Sequence, residues 1–286
     1  MASESSLTRS GIDLEGLSDV EATFCFTNPD DLRRTLRTFL NNARDRDSVG
    51  DHTVLITGFP IESFIIDDDD DEDSPIPRSR KALYLEDSKI LILTMPGLPH
   101  EVAGRLFSGQ LRDKLKDMNC LEDTIPTGGV TVSMENVKKE PDESWGPRSA
   151  GYPTIALEAA VSESTRALHR DAKIWLEYPE SHVTQVITIK IHRTRPEIVF
   201  SVWKTIEEQR ATRAQYPRRT IMDHEVHVIL EHGRPIAGGR VCLSFEGFFE
   251  RRPRPGTAEH DIVFSARELG GIARVLWEQM GFIPRH

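Results

Sequence analysis

The sequence predicts a mixed α/β protein, and three observations carry this prediction. From residue 89 onward, short apolar runs typical of buried strands alternate with longer segments that repeat apolar residues at helical spacing. An alternation of these two patterns favours a sheet covered by helices. With 286 residues, of which 38% are hydrophobic, the chain is long enough to bury a substantial core without a disulfide or metal staple.

The formal net charge of −10 is concentrated in one segment. Lys and Arg number 36 and Asp and Glu number 46, and seven of the acids stand together at 67–73. Without that run the balance is 36 against 39, which is close to neutral. The composition therefore argues against a strongly basic surface of the kind that neutralises nucleic-acid phosphates over a wide area.

The cysteine pattern and the hydropathy indicate the compartment. Cys25, Cys120 and Cys242 are odd in number, widely spaced and without C-x-x-C spacing, which fits a reducing environment and no disulfide frame or zinc ribbon. No run of about 18 apolar residues is present, and residues 1–11 lack the apolar core of a secretory signal. We expect an intracellular protein of the cytoplasm or nucleus, with no membrane partner; the oligomeric state stays open.

The first 80 residues are predicted to hold little of the core. Residues 1–20 are expected to be a disordered tail, and residues 67–80 an acidic disordered loop, because neither can bury apolar area. Between them, residues 21–66 read as a strand–helix segment that packs on the core. Its helix is predicted to begin at Asn28, because a proline and two acids follow immediately.

Residues 81–205 are predicted to form the core itself. Their patterns predict strands at 89–95, 130–134, 154–161, 183–193 and 198–204, with amphipathic helices at 100–118 and 162–178.

Residues 206–286 are predicted to extend the same domain. A polar loop is expected at 213–219. Strands at 222–230 and 240–249 are expected to pair across a turn at 232–235. A final helix is predicted from Ser265 onward, because Ser265 and Glu268 have capping-box spacing.

Glu158 is the most unusual residue, because it interrupts an otherwise apolar run. A carboxylate in a buried strand is costly unless it is paired or bound to a metal. Asp142 stands sixteen residues earlier, at a predicted loop or strand end. Two carboxylates at neighbouring strand ends can hold Mg²⁺, which activates water and stabilises charge on a phosphodiester. The alternative is that Glu158 faces water on an edge strand or pairs with Arg166 or Arg170, since structural ion pairs imitate sites.

Three segments around these acids resemble the PD-(D/E)XK nuclease-like superfamily. They are KEPDESWGP at 139–147, PTIALEAAVSES at 153–164 and LHRDAKIWL at 168–176. The strand at 89–95, followed by Pro99-His100-Glu101 and a helix, is similar to the start of that core. More narrowly, the segments resemble uncharacterised fungal proteins akin to a bacterial family of candidate restriction endonucleases. The likeness covers about residues 85–205.

The resemblance implies a restriction-endonuclease-like core, a small mixed sheet flanked by helices, here with extra C-terminal strands and a helix. It implies Asp142 and Glu158 as ligands of Mg²⁺, with Mn²⁺ as a substitute. The motif lysine would stand two residues after Glu158, but Ala160 is there. Lys173 on the following helix could be its equivalent, and Glu101 an additional acidic partner. The implied activity is metal-dependent hydrolysis of DNA or RNA.

Three functions therefore stay open. The first is the nuclease. The second is a catalytically inactive interaction module with the nuclease fold, which Ala160 and the acidic insert favour. The third is an accessory protein of a fungal pathway. The position of Lys173 separates the first two, because contact with both acids would keep catalysis open, whereas exposure to bulk water would favour the module.

Overall fold

The structure is a computed structural model, and it describes residues 19–64, 75–77, 80–161, 165–207 and 218–285. The acidic run at 67–73, the tail up to residue 18 and most of the predicted loop at 213–219 lie outside the described residues.

Helices and strands alternate through the described chain, and this confirms the predicted mixed α/β class. The helices are α1 (Pro29–Arg46), α2 (Leu98–Asp117), α3 (Thr165–Glu177), α4 (Phe245–Phe249) and α5 (Ala266–Met280). The strands are β1 (Val20–Cys25), β2 (His52–Thr57), β3 (Lys81–Leu85), β4 (Ile90–Met95), β5 (Thr124–Pro126), β6 (Val132–Met134), β7 (Val137–Lys139), β8 (Glu143–Pro147), β9 (Ile155–Val161), β10 (Gln185–Ile191), β11 (Glu197–Glu207), β12 (Arg218–Glu231), β13 (Arg234–Ala237), β14 (Val241–Leu243) and β15 (Ile262–Phe264).

The first sheet has the strand order β1-β2-β4-β3-β7-β6. β1 runs parallel to β2, and the other neighbours are antiparallel. α1 packs on this sheet, because Leu32 and Leu36 share a buried cluster with Val54 and Ile56 of β2. Asn28 caps α1 by accepting a hydrogen bond from the Asp31 amide, as predicted. Ile76, from the predicted acidic loop, is buried in the same cluster.

The second sheet has the order β13-β12-β11-β10-β9-β8-β5. β9 and β10 are parallel and are connected through α3, and the other neighbours are antiparallel. Leu157 faces a cluster that contains Phe107 of α2 and Trp277 of α5. The preceding residue, Ala156, faces the opposite cluster, which α3 shares with Leu83 and other residues of the first sheet. α3 therefore lies between the two sheets.

The expected pairing of 222–230 with 240–249 is wrong. β12 turns at His232-Gly233, both with positive φ, and pairs with β13. Val241–Leu243 pairs instead with β15, and the aromatic run that follows is α4, capped by Ser244. A short apolar run does not by its periodicity distinguish a strand from a helix.

The predictions also missed four strands of the central region, which are β3, β5, β7 and β8. β3 falls where only the start of the core is predicted. β7 and β8 fall in a charged stretch for which no strand is predicted. Buried, ion-paired lysines stand at one end of β3 and of β7. β5 and β8 are short and show no apolar alternation. Arg218 and Arg219, expected in a loop, begin β12. The predicted capping box of α5 is confirmed at Ser265 and Glu268.

No helix in the described ranges has both the length and the apolar character that crossing a bilayer requires.

Candidate active site

Asp142 and Glu158 lie side by side on neighbouring strands. Glu158 is in the middle of β9 and, like Ala156 two residues before it, points towards α3. Asp142 immediately precedes β8, the antiparallel neighbour of β9. Its amide donates to the carbonyl of Leu157 at 3.1 Å, and its Oδ2 accepts from the amide of Ala159. The ladder between the two strands therefore holds both carboxylates in fixed positions.

Both carboxylates contact the ammonium group of Lys81. Nζ of Lys81 donates to Oδ2 of Asp142 at 3.3 Å and touches Oε2 of Glu158. Lys81 is the first residue of β3, in the other sheet. The two acids named from the sequence thus converge on one positive charge, which the sequence had not indicated.

A second lysine continues this network. Nζ of Lys139 lies 3.1 Å from Oε1 of Glu158 and 3.3 Å from Oδ2 of Asp171. The indole N–H of Trp175 also donates to Oε1 of Glu158. On the side of Asp171 away from Glu158, Arg170 donates to Oδ1 of Asp171 at 3.3 Å. Each buried carboxylate is therefore paired, as burial of a charge requires.

His100 supports Asp142 from the other side. Nε2 of His100 lies 2.9 Å from Oδ1 of Asp142, and Nδ1 lies 3.0 Å from Oδ2 of Asp51. Asp51 in turn accepts from the amides of Gly97 and Val161. Gly97 is required here, because a Cβ at that position would lie 2.2 Å from the carbonyl oxygen of Val49. The close approach of Gly97 to the backbone of Val49 places the first turn of α2 against Asp51.

The ion-paired residues around Asp142 and Glu158 form one network, and their charges shift the pKa values of the residues within it. Burial by itself would lower the pKa of His100, but the charges of Asp142 and Asp51 raise it well above its usual value. Burial would raise the pKa of Asp142, yet His100 holds it well below its usual value. In the same way, Lys139 and its cationic neighbours outweigh burial and lower the pKa of Asp171 to about 2. Asp142 and Asp171 are therefore charged at neutral pH.

The other two residues named from the sequence form no ion pair with the two acids in the described chain. Lys173 is on the exposed side of α3. Burial and the charge of Lys173 lower the pKa of His169. Within the described ranges no ion pair joins Lys173 to Asp142 or Glu158. Glu101 is partly exposed and lies 3.7 Å from Arg105. The alternative that Glu158 pairs with an arginine of α3 is wrong, since its ion-pair partners in the described chain are lysines of the first sheet.

A small cleft of about 30 Å³ borders the lysines. Its charged lining consists of Lys81, Lys139, Arg170, Asp171 and Asp19. A larger cavity of about 490 Å³ shares Asp19, Val20 and Thr53 with it and is lined on another side by Asp51.

The donors fit a divalent cation in their chemistry. Oε2 of Glu158 is buried and touches Lys81, but in the described chain it accepts no well-directed hydrogen bond. The described residues include no group of three or more His, Cys, Asp or Glu side chains placed to hold a metal ion. Two carboxylates are nevertheless enough protein ligands for Mg²⁺, because water and phosphate oxygens complete its coordination shell.

Sequence reasoning missed Lys81, Lys139, His100 and Asp51. A partial signal existed for Lys139, which stands three residues before Asp142 in the segment that resembles the nuclease superfamily. No signal existed for Lys81 or Asp51, because both come from segments of the first sheet that lie 61 or more residues away from Asp142 in the sequence.

No family model matches the chain, and no curated protein matches it. Among solved structures, the chain is similar to a DUF820 protein from Anabaena variabilis that is described as a candidate nuclease. The TM-score is 0.37 and the identity 12%, over 67% of this chain and 90% of that chain. A likeness at this level supports no assignment, so the fold class rests on the strands and helices themselves.

Proposed function

We propose that the protein is a nuclease-like phosphodiesterase whose active site is the Asp142–Glu158 pair. The observation that supports the proposal is the convergence of both carboxylates on the single ammonium nitrogen of Lys81. A buried carboxylate and a largely buried one, directed at one point, form a strong cation site, because each unpaired charge would be costly. Lys81 fills that site in the metal-free protein.

Asp142 and Glu158 would hold Mg²⁺ or Mn²⁺. When bound, such an ion supplies Lewis acidity towards a phosphoryl oxygen and lowers the pKa of a bound water. Asp142 is suited to this role because it is charged at neutral pH and is held by His100 at 2.9 Å. His100 is accordingly a positioning residue, and Asp51 fixes its ring through Nδ1 at 3.0 Å.

Lys81 and Lys139 take the role that the resemblance assigns to the motif lysine. Both line the cleft together with Arg170. Cationic groups fixed beside a reacting phosphate stabilise the negative charge that grows on its oxygens in the transition state. Lys173 is replaced in this role because it is exposed and makes no described contact with the acids.

The substrate class is DNA or RNA, recognised at a phosphodiester. The lining of the cleft is rich in cations, whereas the chain as a whole carries a net charge of −10. Binding would therefore depend on a few local contacts rather than on a broad basic surface, and the salt dependence of binding would be shallow.

A second candidate function is a catalytically inactive interaction module. The observations that favour it are the complete burial of Glu158, at 0% exposure, and the exposure of Lys173. In that case the same ion pairs would serve only to hold the two sheets together, and no metal ion would replace Lys81.

A cleavage assay separates the two functions. Labelled single-stranded and duplex DNA and RNA are incubated with the wild type in Mn²⁺ or Mg²⁺, beside the double variant Asp142→Asn/Glu158→Gln and the surface control Glu246→Gln. We expect metal-dependent cleavage by the wild type and the control, and none by the double variant. The Tm of the wild type should also rise with Mn²⁺, since a ligand of the native state stabilises it. Cleavage that survives in the double variant would refute the site, and absence of both cleavage and a Tm shift would support the module.

A further inference from the structure

We infer that Lys81 is an exchangeable counter-ion, which leaves the acid pair for a phosphate-type oxyanion in the adjoining cleft, so that anion and divalent cation bind cooperatively. This inference rests on the proposed function and names a regulation of the same site. Its ligand class is a tetrahedral oxyanion, of which the phosphate group of a nucleic-acid strand is the expected source.

The cleft presents a row of donors across three strands of the first sheet. Thr94 of β4 pairs in register with Thr53 of β2 on one side and with Lys81 of β3 on the other. Directly paired residues of antiparallel strands lie on the same face, and the hydroxyls of the two threonines are 3.0 Å apart. All three residues line the cleft. An oxyanion there would meet two hydroxyl groups and an ammonium group.

With Lys81 included, the cleft carries one more cationic side chain than acidic side chains. Its lining contains Lys139 and Arg170 besides Lys81, against Asp171 and Asp19. Nε and Nη2 of Arg170 donate to Oδ1 of Asp171, so the donor it can offer an oxyanion is Nη1, which is buried and makes no hydrogen bond in the described chain. The cavity volume of about 30 Å³ corresponds to about two water molecules. Only the oxygens of a phosphate group would enter, and the rest of a nucleotide would stay outside.

Lys81 is the only one of these cations that touches both acids in the described chain. Its ammonium group contacts Asp142 and Glu158, it lies 3.7 Å from Oδ2 of Asp171 in the cleft, and its side chain borders the cleft. It cannot fully neutralise the acid pair and an oxyanion at the same time. Lys139 has no such conflict with the pair, because it contacts Glu158 through Oε1, the oxygen away from Lys81.

Cooperativity follows from this competition. An oxyanion that draws Lys81 into the cleft leaves Asp142 and the buried Glu158 without their shared cation, which strengthens their affinity for a divalent ion. A divalent ion at the carboxylates releases Lys81 to the oxyanion in the same way. By linkage, each ligand raises the affinity of the other by the same factor. The metal would thus be loaded mainly when a phosphate group is present.

Binding measurements on the full-length wild type test the inference without any catalysis. Mn²⁺ is titrated in the presence of sulfate or of chloride at equal ionic strength, with free Mn²⁺ followed by electron paramagnetic resonance. Sulfate is then titrated with and without Mn²⁺ by calorimetry. We expect each ligand to tighten the binding of the other by about tenfold. Equal Mn²⁺ affinity in sulfate and chloride would overturn the inference and leave the metal site standing. No Mn²⁺ binding in either salt would overturn the proposed function, and the inference with it.

A matched pair of variants locates the effect at Lys81. Lys81→Met should bind Mn²⁺ more tightly than the wild type in chloride, because the competing ammonium is gone, and sulfate should no longer help. Lys138→Met removes the same charge from a partly buried lysine of β7 that contacts Ser133 and Glu86, and it should keep the coupling of the wild type. Coupling that persists in Lys81→Met would overturn the assignment. If Lys81→Met does not fold, the wild-type titrations decide alone.

A final arm identifies the source of the oxyanion. A dinucleotide replaces sulfate in the Mn²⁺ titration, with its non-ionic methylphosphonate analogue as the control. Coupling by the charged dinucleotide alone assigns the cleft to a nucleic-acid phosphate, and coupling by sulfate alone assigns it to a free anion. Equal effects of the charged and neutral dinucleotides would show that the coupling does not arise from charge and would contradict the exchange of Lys81.

Discussion

Nζ of Lys139, at the end of β7, lies 3.1 Å from Oε1 of Glu158, in the middle of β9. β7 belongs to the first sheet and β9 to the second, so this ion pair joins the two sheets. Lys139 and Glu158 are 1% and 0% exposed. A pair so completely removed from water is strongly destabilising when one partner is lost, because the other keeps an uncompensated charge.

Replacement of Lys139 should therefore cost much of the stability of the protein. Lys139→Met is expected to lower the free energy of unfolding by about 3–5 kcal/mol, measured by urea denaturation. The matched variant Lys138→Met on the same strand should change it by about 0.5 kcal/mol or less. Similar losses in the two variants would mean that the pair across the sheets is not a principal source of stability.

A double-mutant cycle tests the pairing directly. Because Lys139 and Glu158 are in contact, Lys139→Met and Glu158→Gln should not be additive, and the interaction energy in urea denaturation should be about 0.5–3 kcal/mol. The control cycle combines Lys139→Met with Glu246→Gln, an exposed acid outside the network, and should be additive. Additivity in both cycles would contradict the pairing.

Stability at acid pH should depend on Asp171. Its pKa is lowered to about 2, below the value of 3.8 in the unfolded chain. The carboxylate therefore contributes its full stabilisation above pH 3.8 and loses it as the pH falls through about 2. The contribution is about 2 kcal/mol. Asp171→Asn should flatten the loss of stability over that window, whereas Asn at the exposed Asp113 should leave it unchanged. The free energy of unfolding against pH, measured without metal, checks this.

Stability at alkaline pH should depend on His100. Its pKa is raised well above 6.5, so its stabilising charge is fully present below pH 6.5 and is lost as the pH rises through the folded-state value. His100→Gln should be least stable, relative to the wild type, at about pH 6, and the difference should shrink as the pH rises. A difference in unfolding free energy that stays constant with pH would show that the imidazole acts by packing alone.

The capping box of α5 gives a prediction outside the site. The hydroxyl of Ser265 accepts from the amide of Glu268, and the Glu268 carboxylate accepts from the amide of Ser265. Ser265→Ala should lower the free energy of unfolding by about 1 kcal/mol. Ser265→Gly should cost only a few tenths, because glycine leaves the end of the helix open to water. Equal losses in thermal or urea unfolding would contradict the cap.

Much of the fold could be predicted from local pattern. α2, α5, β4, β9 and β10 appear close to their predicted positions, because each carries a strong apolar pattern or a cap. β7 and β8 could not be predicted in this way, since both are short and neither shows an apolar alternation. The wrong pairing of 240–249 has a different cause, because helical and extended apolar runs of this length share one pattern.

The candidate site likewise contains residues that the sequence indicates and residues that only the structure reveals. The sequence by itself determined that Glu158 is a carboxylate in an apolar strand and that Asp142 stands at a predicted loop or strand end, since both are local properties. Only the tertiary structure decided that Lys81 and Lys139 neutralise the pair. Those lysines come from the other sheet, and the packing of two sheets brings together residues whose separation along the chain leaves no periodic trace.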